Sequence, residues 1–221
     1  MNENPVPVVF LLDVDNTLID NDGVIADLRR HMIDTLGEDA ERRYWDIFEE
    51  RRQELGYADY LGALQRYRTE HPREAKVLQM SLFLLHYPFA NRLYPGALDV
   101  VRHIRTMAPA VILSDGDVVF QPRKVERSGL WGAVEGHVLI YIHKEQMLDD
   151  VEWRHPAERY VLVDDKIRIL AAIKSCWGDR VTTVFVRQGH YAEDQALLSE
   201  YPPADVSIAT IAELKAIAAT L

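Results

Sequence analysis

The sequence predicts an α/β fold, a parallel sheet wrapped by helices, with an all-helical insertion after the first strand. Three observations lead there. Short apolar runs rich in Val, Ile and Leu recur along the chain, each bounded by turn residues, as buried parallel strands require. From Leu93 onward these runs alternate with helix-favouring stretches, which implies right-handed strand–helix–strand crossovers. Between about residues 23 and 90 the strand signals vanish and charged, helix-favouring residues dominate.

The first strand is Val8 to Leu12, closing on Asp13-Val14-Asp15-Asn16-Thr17. In the region that follows, apolar residues recur at helical spacing: Leu28, Met32, Ile33 and Leu36, then Trp45 and Phe48, then Tyr60, Leu61, Leu64 and Tyr67, then Val77, Leu78, Leu82 and Leu85. Breaks at Gly37, Gly56 and His71-Pro72 divide it into about four helices. Asp39, Asp59 and His71-Pro72 lie near expected helix starts, where a capping carboxylate or an early proline is favourable. The domain reading is therefore a discontinuous core, 1–22 and 91–221, with 23–90 inserted as a helical domain.

Pro95-Gly96 leads into a helix over Ala97 to Met107, and Pro109 opens the second strand, Ala110 to Leu113, which closes on Ser114-Asp115-Gly116. A helix from about Val118 to Ser128 ends near Gly129. The third strand, Val138 to Ile142, closes on His143-Lys144 and precedes a helix over about Glu145 to Arg154. The fourth, Tyr160 to Val163, closes on Asp164-Asp165-Lys166, and a helix over about Ile167 to Cys176 follows. Val181 to Val186 is a fifth strand, Val206 to Ile208 a short sixth, and a terminal helix starts at Thr210.

Composition sets outer limits. The chain has 221 residues, 48% of them hydrophobic, enough for one sizeable core and a smaller unit. Its net charge of -10, from 35 acidic and 25 basic residues, provides no general attraction for nucleic acid or anionic membrane. The single cysteine, Cys176, excludes an internal disulfide, suits a reducing compartment, and is expected to be a small buried residue of its helix. The start Met1-Asn2-Glu3-Asn4 has no basic leader, and no apolar run approaches the roughly 18 residues of a membrane span. A cytoplasmic protein is the resulting expectation.

Four strand ends thus carry reactive groups, and in open α/β sheets ligands bind beyond the carboxyl ends of the strands. Asp13, directly after the apolar run where the backbone is most fixed, is the nucleophile candidate; carboxylate attack on phosphorus gives an acyl phosphate. Asp15 is suited to protonate a leaving oxygen and later deprotonate a water. Thr17 suits a loop-fixing or substrate-orienting hydrogen bond. A transferring phosphoryl group spreads charge over its oxygens, so donors and cations are needed around it. Ser114 offers a hydroxyl backed by the amides of Asp115 and Gly116, and Lys144 offers a charge that also holds Asp13 ionised. Asp164 and Asp165 add the hard oxygen ligands that Mg²⁺ prefers.

These residues resemble the haloacid dehalogenase-like (HAD) hydrolase superfamily. Asp13-Val14-Asp15-Asn16-Thr17 is similar to its DxDxT nucleophile motif, Ser114 to the second-motif Ser/Thr, Lys144 to the third-motif Lys, and Asp164-Asp165 to the acidic fourth motif. The likeness runs over nearly the whole chain. It implies a Rossmann-like core, a helical C1 cap and a flap near Ile19 to Gly23. It also implies a Mg²⁺ ion held by Asp13, the backbone carbonyl of Asp15 and an acidic residue of the fourth motif. Aligning Asp164 with the family's usual glycine makes Asp165 the direct ligand and Asp164 a water-mediated one. Glu145 stands where a proline commonly follows the third-motif lysine, which leaves Lys124 as the competing lysine.

The expected activity is Mg²⁺-dependent hydrolysis of a small phosphorylated metabolite, because only a phosphoester needs the proton that Asp15 can give. A 2-haloacid dehalogenase is the first alternative, although halide leaves without a proton and the resembling dehalogenases lack the second aspartate. A catalytically silent, protein-binding member is the other. The insertion's arginines (Arg29, Arg30, Arg42, Arg43, Arg51, Arg52, Arg66, Arg68) and Arg92 read mainly as solvated, ion-paired helix faces. Tyr44, Trp45, Phe48 and Tyr57 read mainly as core. His86, His143 and His190 have no metal-ligand spacing, and Arg187 to Tyr191 is a candidate rim of the site. Oligomeric state and the substrate's identity are not legible at this level.

Overall fold

The computed structural model describes residues 5–221. The start Met1 to Asn4, read above for a leader, lies outside them. In chain order the elements are β1 (Val6–Leu12), α1 (Asn21–Leu36), α2 (Glu38–Leu55), α3 (Tyr60–Glu70), α4 (Val77–His86), α5 (Ala97–Ile104), β2 (Ala110–Asp115), α6 (Phe120–Arg127), α7 (Leu130–Ala133), β3 (Val138–Tyr141), α8 (Leu148–Arg154), β4 (Ala157–Asp164), α9 (Ile167–Trp177), β5 (Val181–Val186), α10 (Gln195–Glu200), β6 (Val206–Ile208) and α11 (Leu214–Ile217). The six strands form one parallel sheet in the order β3-β2-β1-β4-β5-β6, a Rossmann-like arrangement.

Alternate residues of each strand feed opposite faces, and both faces are buried. Phe10, Leu12, Ile112, Val161, Val163 and Val184 join one cluster, with Val101 and Ile104 of α5, Phe120 and Val125 of α6 and Leu214 of α11. Val9, Leu11, Val111, Leu113 and Leu162 join the other, with Leu148 and Val151 of α8 and Ile169, Leu170 and Ile173 of α9. This two-sided burial is why the strands read as unbroken apolar runs rather than alternating ones.

The helical insertion hangs from two adjacent strands of chain. Ile19 bridges both Asp15 and Leu93, the Asp20 amide donates to Arg92 O at 2.7 Å, and the Tyr94 amide donates to Leu18 O at 2.9 Å. Asp20 caps α1 by accepting from the Gly23 amide at 2.9 Å, so the helix begins inside the expected flap segment. Asp59 caps α3 in the same way, through the Gly62 amide at 2.8 Å. The insertion's aromatics continue the first core cluster: Tyr44, Trp45 and Phe48 are buried, and Tyr60 packs against Phe120 at a ring distance of 5.1 Å. Of the insertion's arginines named above and Arg92, all but Arg68 have an acidic partner, including Arg29 with Glu41, Arg51 with Asp59 and Arg92 with Asp27.

Several expectations are corrected. His71-Pro72 ends α3 rather than opening α4: His71 leaves helical geometry, as a residue before proline prefers, and α4 starts only at Val77. Asp39 lies within the first turn of α2, which begins after Gly37. Helix α6 starts at Phe120, because the Asp117 carboxylate accepts from the amides of Val119 (2.8 Å) and Phe120 (2.7 Å). The terminal helix is split into 3₁₀ turns around α11. Cys176 is exposed: Ile169, Ile173 and Trp177 make the inward face of α9, and the residue next to Trp177 turns outward.

Candidate functional site

The four reactive strand ends belong to four consecutive strands, β3, β2, β1 and β4, so they meet at one edge of the sheet. Leu12 stands opposite both Ile112 and Val163, and the Asp13 amide donates to Val163 O at 3.0 Å. That register sets Asp13 beside Asp164. Both are buried, as are Asp165 and Lys144. The Lys144 Nζ lies 2.6 Å from Asp13 Oδ1 and 2.7 Å from Asp164 Oδ2, and donates to Leu113 O at 3.3 Å. Burial opposes the charged ammonium, but Asp13, Asp164 and Asp115 outweigh it and hold Lys144 well above its ordinary pKa. A 3₁₀ turn, Lys144–Gln146, brings the lysine in, fixed by its own amide donating to Asp115 Oδ1 at 2.7 Å. Asp115 therefore works through its carboxylate, a role not foreseen for it.

Asp13, Asp164 and Asp165 each offer an oxygen within 4.8 Å of the others. Asp13 Oδ2 and both Asp165 oxygens are buried with no hydrogen-bond partner among the described residues. Burial raises Asp165 well above the ordinary carboxylate range; Lys166 counteracts this, while Asp164 and Asp13 add to it. Asp164 is raised for the same first reason, with Lys144 opposing. Lys166 faces this group from the turn after β4: burial disfavours its charge, yet Asp165, Asp13 and Asp164 hold its pKa up. Around the crevice, five carboxylates (Asp13, Asp15, Asp115, Asp164, Asp165) stand against three ammonium groups (Lys124, Lys144, Lys166). With all of them ionised the excess would be two negative charges, which a divalent cation would balance. With an all-oxygen donor set and orphaned buried oxygens, these residues fit a hard cation such as Mg²⁺.

The Asp15 carboxylate is not in that cluster. Its Oδ1 accepts from Lys124 Nζ at 2.6 Å, and its side chain keeps 24% exposure. The two lysines weighed above thus divide the aspartates: Lys144 meets Asp13, Lys124 meets Asp15. Thr17 is buried, its hydroxyl without a partner among the described residues. Ser114 Oγ accepts from Gln121 Nε2 at 3.0 Å. Gly116 departs from expectation. The ladder runs one residue past β2, so its amide donates to Tyr141 O at 2.9 Å and is no free donor. Glycine is needed there for room, since a Cβ would sit 2.5 Å from Gln121 Cβ.

The loop after β1 is braced from β5. Asn16 takes a left-handed φ of 57° and its Oδ1 accepts from the amides of Asn21 (3.0 Å) and Asp22 (3.2 Å). Gln188 Nε2 donates to Thr17 O at 3.1 Å, and Gly189 packs on the Asn16 side chain. The His190 amide donates to Asp22 Oδ2 at 2.8 Å. The segment Arg187 to Tyr191 therefore lies against the Asp13–Thr17 loop. His143 touches the insertion: a Cβ on Gly56 would stand 2.6 Å from its Cε1. Gln121 was not singled out from sequence; Asn16, Lys166 and Gln188 were named only within the segments that follow β1, β4 and β5, with no role of their own.

Comparison with known proteins agrees with this architecture. No protein-family profile and no curated protein matches the chain. Among solved structures, a protein named a haloacid dehalogenase-like hydrolase, from Burkholderia xenovorans LB400, is 63% identical, covers 96% of this chain and 98% of its own, and superposes with a TM-score of 0.92. The HAD hydrolase YfnB of Bacillus subtilis, solved with magnesium bound, is 16% identical over 97% of this chain and 99% of its own, with a TM-score of 0.63. An L-2-haloacid dehalogenase of Xanthobacter autotrophicus, with chloropropionic acid covalently bound, is also 16% identical, over 98% and 99% respectively, with a TM-score of 0.63. The last two share the fold. Sheet, strand ends and neighbours together define a hydrolase of Rossmann-like architecture. On its 63% identity over nearly the full length of the first of these structures, the chain belongs to the haloacid dehalogenase-like hydrolases. No helix among the described residues is long and apolar enough to cross a membrane.

Proposed function

We propose that this hydrolase is a Mg²⁺-dependent phosphatase of a small phosphorylated metabolite, with residues 1–22 and 91–221 as its catalytic core and 23–90 as a cap. Asp13 is the nucleophile and Asp15 the general acid/base. Asp13, Asp164 and Asp165, with the Asp15 backbone carbonyl that the family resemblance implies, would hold the ion. Bound there, Mg²⁺ supplies charge against the phosphoryl oxygens and lowers the repulsion among the carboxylates.

Lys144 pairs with one oxygen of Asp13, leaving the carboxylate free to attack phosphorus from its other side. As the new Asp13–phosphorus bond forms, the bond to the leaving oxygen breaks, and its electron pair takes the proton of Asp15. A water then attacks phosphorus, its proton passes to Asp15, and the Asp13 carboxylate is released. Ser114, oriented by Gln121, and Thr17 are the hydroxyls available to the phosphoryl oxygens. Lys166 adds a further cation on the fourth-strand side.

The observation that carries this reading is Asp15. Its carboxylate stands apart from the acidic cluster, partly exposed and held by a buried lysine. A dehalogenase, which expels halide, has no use for a second acid so maintained. With Mg²⁺ present, the purified protein should hydrolyse 4-nitrophenyl phosphate, and Asp13→Asn should lower the rate by at least about a thousandfold. Chloride release from 2-chloropropionate without phosphate release would replace this reading with the dehalogenase. Inertness in both assays, with a specific protein partner recovered, would favour a silent member.

A further inference from the structure

We infer that Lys124, on α6, is the positioning residue for the general acid/base: it anchors Asp15 Oδ1, so that proton exchange with the leaving group falls to Oδ2. The inference rests on the phosphatase reading and deepens it.

Lys124 has no exposed surface. Its Nζ has two oxygen partners, Asp15 Oδ1 at 2.6 Å and Asn21 Oδ1 at 3.0 Å. One helical turn back, Phe120 presents its ring 5.3 Å from the ammonium. Tyr60 of the insertion packs on that ring at 5.1 Å and closes the socket. An ammonium withdrawn from water in this way is costly, and a methionine of similar length would fill the same space without that cost. The cost is incurred for one carboxylate, which is itself only partly buried and would not need a partner to remain solvated.

The geometry explains what is obtained. Asp15 lies beyond the ladders of the sheet, in the loop leaving β1, where its backbone is paired with Ile19 in an isolated bridge and the direction of its carboxylate is left to a side-chain partner. A point charge delivered by a rigid helix supplies the missing fixation, and Asn21 fixes the point charge in turn. Asn21 is the first residue of α1, and its amide is held by Asn16 Oδ1 at 3.0 Å. The chain Asn16–Asn21–Lys124–Asp15 therefore ties the acid to the base of the insertion as well as to α6. Among the described residues, Lys124 makes no hydrogen bond or ion pair to Asp13, Asp164 or Asp165, so its effect on the reaction has to pass through Asp15.

The test uses the full-length protein with Mg²⁺ and a series of aryl phosphates whose phenols span a wide range of acidity. The measured quantity is kcat/KM against leaving-group pKa, which reports the step in which the leaving oxygen departs. Lys124→Met should steepen that dependence, costing under about tenfold for the most acidic phenol and about 10²–10³-fold for the least acidic, with KM within about threefold. Asp15→Asn should show the same steepening, and the double variant should be no worse than Asp15→Asn alone. Lys124→Gln, which keeps an N–H for Asp15, should lie between wild type and Lys124→Met. A loss equal for all phenols, or losses that multiply in the double variant, would overturn the inference. So would failure of both Lys124 variants to give a cooperative thermal melt, since Lys124 would then be structural. A wild type inert on the whole series removes the phosphatase reading itself, an outcome distinct from an active wild type indifferent to Lys124.

Discussion

Replacing Asp165 by Asn should make the metal-free protein more stable and the enzyme inactive. The side chain is fully buried, both its oxygens lack hydrogen-bond partners among the described residues, and Asp13 and Asp164 stand within the same cluster. Leaving a buried polar group unsatisfied costs at least about 1 kcal/mol. Burial also disfavours the charged form of this carboxyl and raises its pKa above the ordinary value, and the charges of Asp164 and Asp13 add to that. Asn removes the charge at nearly constant volume, and its N–H can donate to the unpartnered Asp13 Oδ2. The expected gain is therefore about 1–3 kcal/mol, or a rise in Tm of about 2–12 °C for a chain of this size. The assay is a thermal melt at neutral pH in EDTA and again in millimolar Mg²⁺. Wild type should gain stability from the metal, about 2.7 kcal/mol at a hundredfold excess over Kd, and the variant should gain little. A variant less stable than wild type in EDTA, or equal Mg²⁺ shifts for both, would refute the assignment of Asp165 as a strained, cation-requiring ligand.

Three further outcomes follow from the described contacts. Lys144→Met strands Asp13 and Asp164 without their shared cation and should cost about 3–5 kcal/mol, read as a fall in urea midpoint together with lost turnover. Gly189→Ala forces a side chain into a backbone φ of 71° and to 2.5 Å from Asn16 Cβ; it should lower Tm by several degrees (about 1–3 kcal/mol) and reduce kcat, and an unchanged melt would argue against the bracing role. Asp27 is a pH case: burial works to raise its pKa, but hydrogen bonds from Tyr87 and Arg92, with the charges of Arg92 and Arg30, hold it below the ordinary value. Its contribution is complete above the unfolded value of 3.8 and disappears as pH falls through the depressed folded one. Asp27→Asn should thus cost about 1 kcal/mol at pH 7, with the gap closing on acidification; a gap independent of pH would be the contrary result.

The strand ends were legible because both determinants are local. A buried parallel strand needs an unbroken apolar run, and a reactive residue just past it needs only the next position, as at Leu12-Asp13 and Val163-Asp164. β5 and β6 appear with the bounds their apolar residues suggested. The short helices α7 and α10 escaped notice because one or two turns carry too few positions for a helical period. The partner of Asp15 was hidden for a different reason. Lys124 reads from sequence only as a competitor of Lys144, and its contact with Asp15 exists only once α6 packs over the loop after β1. The same holds for Gln121 and Ser114, for Gln188 and Thr17, and for the turn that carries Lys166 toward Asp165.

Ile19 touches Asp15 on one side and Leu93 on the other, at the neck where the helices join the sheet. The four-helix block joins the sheet through this two-stranded neck, and the residue that bridges both of its sides is in register with Asp15, the acid of the proposed mechanism. A movement of the block relative to the sheet would then reach Asp15 before Asp13 and Asp164, which stand at the strand ends behind it. In the proposed mechanism the nucleophile would then sit on the frame and the acid at the neck.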